Sequence, residues 1–170
     1  DDESLWKFKQ PTIGDAFAKH IVGSPDMVEI YIHGSSVDQL VDHISCGDVG
    51  VRNAIIIPKK LFPLILKRLN SYKLTKKYKT EFLSEWGAKR NLFNFLSKRC
   101  SQQFLKLYVD SNPNVLEQVT KPSQNLEYSP EVSLAYTLNK NGLLPDENRK
   151  AFIAKVSEYA LSGENLYALS

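Results

Sequence analysis

His43, Cys46 and Asp48 stand close together in the chain, and all three side-chain types can hold a metal ion. His33 or Cys100 is available to join them. Zinc asks for four well-placed ligands, and only His43 and Cys46 are close at ligand spacing. The simpler account makes Cys46 a small apolar residue and His43 a polar-face residue at the end of a helix, so no metal site is expected. Thiol chemistry would need Cys46 or Cys100 beside His20, His33 or His43. Nothing in the spacing joins them, and neither cysteine lies in an activating context. Asp38 and Asp42 share a helix face at i, i+4 and read as a solvated edge rather than an acid–base pair. No catalytic residue is expected, and the chain is not read as an enzyme.

Phosphate-binding loops are a second chemistry to look for. The glycines stand at 14, 23, 34, 47, 50, 87, 142 and 163. They form neither G-x-x-x-x-G-K-S/T nor G-x-G-x-x-G, so no loop of either kind cradles a nucleotide within these residues. Cys46-Gly47-Asp48-Val49-Gly50 is the most unusual local string. Its backbone N–H groups could bind a ligand, but it reads more simply as a helix C-cap running into a tight turn.

Charge supplies a third candidate. The net charge of +3 hides a segregation: −6 over residues 1–48, +11 over 49–100 and −2 over 101–170. No acid occurs between Asp48 and Glu81. Lys59, Lys60, Lys67, Arg68, Lys73, Lys76, Lys77 and Lys79 fall in that window, an electrostatic footprint for nucleic acid or an acidic protein surface. Tyr72, Tyr78, Phe82 and Trp86 interleave with it or follow it, and aromatic rings stack on unpaired bases. A solvated basic helix face, offset by the acidic first third, explains the same pattern without a partner.

The elements that must position these residues are mostly helices. Thr12 precedes an apolar stripe of Ile13, Ala16, Phe17 and Ile21, with Asp15 in the capping-box position. Ser24-Pro25 opens a helix expected to turn Met27, Val28 and Tyr31 inward and to stop at Gly34. Val37, Leu40, Val41 and Ile44 make the next stripe, ended by Gly47. A short strand is expected near 54–57, and then a helix over 61–69 with Pro63 in its first turn. Ala88, Leu92, Phe95, Leu96 and Arg99 share one further face. Helices follow from Ser101, Asn112-Pro113, Ser129-Pro130 and Pro145, and Phe152, Ile153, Val156 and Ala160 recur at helical spacing in the last.

The fold class is therefore mainly α, with eight or nine short helices in a bundle or irregular array. Three parts are expected: a helical segment over 1–72, a basic connector over 73–80 and a helical bundle over 81–170. The 170 residues, 42% hydrophobic, suffice for a genuine core. Two cysteines exclude a disulfide framework, and no apolar run approaches the roughly 20 residues of a membrane span. The opening Asp1-Asp2-Glu3-Ser4 lacks a signal-peptide pattern, so the chain reads as part of a longer cytoplasmic protein with no membrane partner.

Trp6-Lys7-Phe8-Lys9-Gln10-Pro11-Thr12-Ile13-Gly14-Asp15-Ala16 resembles a segment of the bacterial STAND-class signalling ATPases. In that family an aromatic-x-His-Pro-Thr/Ser string lies in the winged-helix region after the nucleotide-binding core. Phe95-Leu96-Ser97-Lys98-Arg99-Cys100-Ser101 and Asn141-Gly142-Leu143-Leu144-Pro145 are similar to regions further downstream. The resemblance implies a non-catalytic regulatory or sensor-relay region in bacterial signalling and defence, with the parent NTPase domain as its partner. Residues 1–72 would end the winged helix, and Trp6, Phe8 and Ile13 would anchor it. It implies no cofactor here, with ATP or ADP held by the parent chain. Gln10 occupies the histidine's place on the nucleotide side; its amide hydrogen-bonds but does not titrate. The reading from a different class is a nucleic-acid-binding helical module using the basic 52–79 segment.

Overall fold

A computed structural model describes residue 21 and residues 24–70 and 81–161. The expected Thr12 helix, the anchors Trp6, Phe8 and Ile13, and the 73–80 connector lie outside the described residues. Within them the chain is mainly α, as the sequence pattern requires, with one short two-stranded parallel sheet that takes in the strand expected near 54–57. The helices are α1 (Pro25–Gly34), α2 (Val37–His43), α3 (Phe62–Asn70), α4 (Glu81–Arg99), α5 (Gln102–Ser111), α6 (Asn114–Val119), α7 (Pro130–Lys140) and α8 (Asp146–Leu161). The strands are β1 (Ile44–Cys46) and β2 (Ile55–Ile57).

The punctuation residues act as their chemistry dictates. Ser24 stands at the N-cap position of α1 on extended backbone, without a side-chain cap bond, and Pro25 opens the first helical turn. Ser36 and Gln39 form a reciprocal capping box at α2: each accepts the other's backbone N–H through its side chain, at 2.9 and 3.2 Å. Gly142, at φ +69°, closes α7, and Leu143 N–H donates back to Leu138 O at 2.8 Å.

Two expectations are corrected here. Met27 does not turn inward on α1; it and Ile30 face outward, while Val28 and Ile32 are buried. The inward stripe follows the i, i+4 pair Val28/Ile32, which leaves Met27 and Ile30 on the opposite side. Nor does the second helix continue to Gly47. It stops at His43, and Ile44 enters extended backbone at φ −95°, ψ 163°. Ile44, Ser45 and Cys46 are then all buried, the signature of a strand covered on both faces.

β1 and β2 pair in parallel, with Ile44 opposite Ile55 and Cys46 opposite Ile57. Parallel neighbours usually need a crossover of about a dozen residues or more. Here residues 47–54 suffice, because Gly47 (φ +89°), Gly50 (φ +76°) and Asn53 (φ +58°) all take left-handed backbone. Asp48 Oδ1 accepts the Gly50 N–H at 3.1 Å inside that turn.

One buried cluster draws on both described segments. Val28, Ile32, Leu40 and Ile65 meet Phe93, Phe95, Leu96, Phe104 and Leu134 in it. Phe104 on α5 packs edge-on against Phe62 of α3 at 5.2 Å and against Phe95 of α4 at 6.3 Å. The last helix, α8, buries no residue fully. Phe152 packs on the core, whereas Ile153 faces out. Asn148 Nδ2 ties α8 to the Leu116 carbonyl at 3.2 Å.

Gly47 is the tightest backbone position. A Cβ there would stand 2.8 Å from Ser101 Oγ and 2.9 Å from Ser101 Cβ, on a left-handed φ. Gly50 shares the left-handed φ but opens onto empty space. Gly47→Ala is expected to cost roughly 2–4 kcal/mol and Gly50→Ala about 1 kcal/mol, measured by urea unfolding. Equal costs at the two glycines would remove the close approach as the cause.

Candidate functional site

Two of the residues that the sequence singled out, Cys46 and Cys100, meet at the C-terminal end of β1. Cys46 sits between two neighbours. It pairs with Ile57 on one side and bridges Cys100 in parallel on the other. Gly47 N–H donates to Ile57 O at 3.2 Å, and Ser101 N–H donates to Cys46 O at 2.9 Å. Extended backbone therefore continues from β2 through β1 to the junction of α4 and α5.

Ser45 and Arg99 stitch the same junction. The buried Ser45 hydroxyl lies 2.7 Å from Gly47 O and 3.1 Å from Arg99 O, donating its one hydrogen between them. Arg99 O is a carbonyl at the C-terminus of α4, where the helix supplies no N–H of its own. Arg99 Nη1 reaches back to Ile44 O at 3.4 Å. Ser45, Gly47, Arg99 and Ser101 were not expected to act together. Only the glycine pair flagged a turn, and a pairing between positions 46 and 100 leaves no local pattern.

Both thiols are free and buried. Burial pushes the Cys100 thiol well above its ordinary value, and the neighbouring Cys46 thiol adds to this, against the nearby Arg99 charge. Tyr108 is pushed up to about 12, by burial first and by Cys100 second. These are the surroundings of quiet thiols, not of an activated nucleophile.

The candidate ligand string His43, Cys46 and Asp48 does not gather around one point. His43 Nδ1 shares a hydrogen bond of 2.9 Å with the Tyr31 hydroxyl, Cys46 faces Cys100, and Asp48 is used by its own turn. Among the described residues no three His, Cys, Asp or Glu side chains gather where a metal ion could sit. His33 is exposed beside Asp26, Glu29 and Ile30 in an open groove on α1, and His20 lies outside the described residues.

The basic segment divides. Lys59 and Lys60 are exposed on the 3₁₀ turn Lys59–Leu61, and Lys67 is exposed on α3. None of the three makes an ion pair among the described residues. Arg68 is different: half-buried, its Nη2 donates to the Ser35 carbonyl and ties α3 to the turn after α1. Lys73, Lys76, Lys77, Lys79 and Gln10 lie outside the described residues.

A buried charge that the sequence reading missed fastens α4 to α7. Glu131 is 5% exposed and meets Lys89 Nζ at 2.5 Å, while Ser129 Oγ donates to it at 2.7 Å. Lys89 also lies over the Phe93 ring, 5.3 Å from its centre. Burial raises the Glu131 carboxyl, but the hydrogen bonds from Lys89 and Ser129 outweigh it, and the net direction is down. No protein-family model, curated protein or solved structure matches the chain.

A carboxyl held below its ordinary value of 4.5 stabilises the fold fully above that pH, and the contribution drains away as pH falls through the lowered value. Glu131→Gln is expected to cost roughly 1–3 kcal/mol near neutrality and to flatten the acid limb of stability against pH. Chemical denaturation from pH 3 to pH 7 (about four units, wide enough to span the carboxylate range) reads both. An unchanged acid limb would show that the pair does not set it.

Proposed function

We propose that the chain is a helical regulatory or sensor-relay region of a STAND-like NTPase, coupling the nucleotide state of a parent domain to a partner or effector. The family resemblance of Trp6–Ala16 and of the 95–101 and 141–145 strings suggests the assignment. The observation that carries the relay role is the seam at Cys46. There, main-chain hydrogen bonds and a common core join the 24–70 segment to the 81–161 segment. A body joined this way passes on a displacement at one end instead of absorbing it in a hinge. Coupling then follows from differential affinity: a region that contacts one nucleotide state better shifts the parent toward that state.

Binding of the chain to the ATP-loaded and ADP-loaded forms of its parent NTPase domain tests this. A tenfold or larger difference in affinity is expected, equivalent to about 1.4 kcal/mol of coupling. Equal affinity for the two forms would end the relay reading, however tight the binding.

A second reading uses the basic face, favoured by the exposure of Lys59, Lys60 and Lys67. Three phosphate contacts predict a slope of log affinity against log salt of about −2.7 on duplex DNA, reduced to near zero by charge reversal of the three lysines. No retention on DNA or RNA at low salt would dismiss it.

A further inference from the structure

Cys46 and Cys100 are the described chain's two thiols, and the fold brings them face to face across some fifty residues of sequence. They are partners in a parallel bridge, so their side chains leave the backbone on the same face. Adjacent strands lie about 4.7–4.9 Å apart, inside the roughly 4.4–6.8 Å between Cα atoms that a disulfide spans. Cys46 is held in place from both sides, opposite Ile57 in the sheet and accepting the Ser101 N–H on its carbonyl, so neither thiol has to travel to reach the other.

We propose that Cys46 and Cys100 are a redox modification site: a small-molecule disulfide oxidises them to a disulfide within the folded protein, which clamps the 24–70 segment to the 81–161 segment. The reaction balances in two exchanges. Cys100, 7% exposed where Cys46 is fully buried, enters first. Its thiolate attacks one sulfur of oxidised glutathione, breaks that S–S bond and releases one glutathione thiol, which carries the proton away. The Cys46 thiolate then attacks Cys100 Sγ in the mixed disulfide and displaces the second glutathione as a thiol. Two protein thiols lose two electrons and two protons, and one glutathione disulfide becomes two thiols.

The surroundings set the pace. Burial holds the Cys100 thiol well above its ordinary value, so exchange is slow near neutrality and speeds up as pH rises. Entry also requires local opening at the α4–α5 junction. The pair therefore responds to sustained oxidation rather than to brief exposure. Closing a loop from 46 to 100 restricts the unfolded chain, which raises stability wherever native geometry needs little adjustment.

The test takes the reduced, folded chain, removes reductant and adds oxidised glutathione, with a parallel sample in strong denaturant. Intact mass and a non-reducing peptide map read the product. The native sample is expected to lose two hydrogens and to yield a peptide joining Cys46 to Cys100. Its thermal midpoint should rise by roughly 5–10 °C. Cys46→Ser should stop at a glutathione adduct on Cys100. Should that variant not fold, the wild-type map decides alone. Native protein that keeps both thiols free, or carries two glutathione adducts while the linked peptide forms only in denaturant, would overturn the proposal. A linked chain with a lowered midpoint would overturn the clamp.

Discussion

The structure depends on how closely the turn after β1 approaches the start of α5. Cys46 gives its carbonyl to Ser101 N–H, and the next residue gives its N–H to Ile57 O. Both bonds require residue 47 to pass against Ser101 with no Cβ and on left-handed backbone. Only glycine meets the two demands together. The geometry of one residue thus decides whether the extended backbone is continuous from β2 to Cys100. It also decides whether the α4–α5 corner is fixed to the first half of the molecule. The corner's polar groups follow suit: Ser45 supplies the hydrogen that the Arg99 carbonyl would otherwise lack in a buried setting.

Hydrophobic packing works with this seam rather than apart from it. Phe104 begins two residues after the corner's Gln102, and it packs edge-on against Phe62 and Phe95, which reach it from opposite sides of the seam. Burying a ring of that size contributes about 2–3 kcal/mol by area alone, with a smaller increment from the edge-on geometry. A main-chain bond contributes less net, about 1 kcal/mol, but fixes register where apolar contact does not. The rings hold the halves together, and the strand hydrogen bonds decide which residues face which.

The helices were legible in the sequence because their causes are local. Pro25 and Pro130 in first helical turns and Gly142 on left-handed backbone mark helix ends, and the stripes Val37/Leu40/Val41 and Leu92/Phe95/Leu96 are buried as their spacing requires. Phe93 escaped the same reading, since one residue beyond a stripe is buried when a second helix covers the flank, as α7 does for α4. β1 was not legible. Ile44-Ser45-Cys46 extends a helical stripe in sequence, and its extended form is imposed by partners eleven and some fifty-five residues away. Long-range pairing overrides local propensity in such short segments. Arg68 shows the same limit for charge. It sits in a basic run like its neighbours, yet its tie to Ser35 is set by tertiary placement alone.

The length of α4 gives the seam its mechanical interest. This helix is fastened at Lys89 by the buried Glu131 of α7, and at its end by Ser45 and the Cys46 bridge. The two fastenings lie ten to eleven residues apart, about 16 Å along the axis. A helix held at one point pivots; held at two, it moves only with both neighbours. The two fastenings also differ in what loosens them. Acid weakens the carboxylate clasp, whereas the main-chain hydrogen bonds of the seam involve no group that titrates in the carboxylate range. Displacing α4 relative to the sheet demands breaking main-chain bonds at the seam, while displacing it relative to α7 demands losing the buried ion pair, the Thr137 hydroxyl bond to Ser97 O and the apolar packing between the two helices. Of the two fastenings, the one to α7 is the one that acid loosens, and the sheet keeps its hold on the helix when it does.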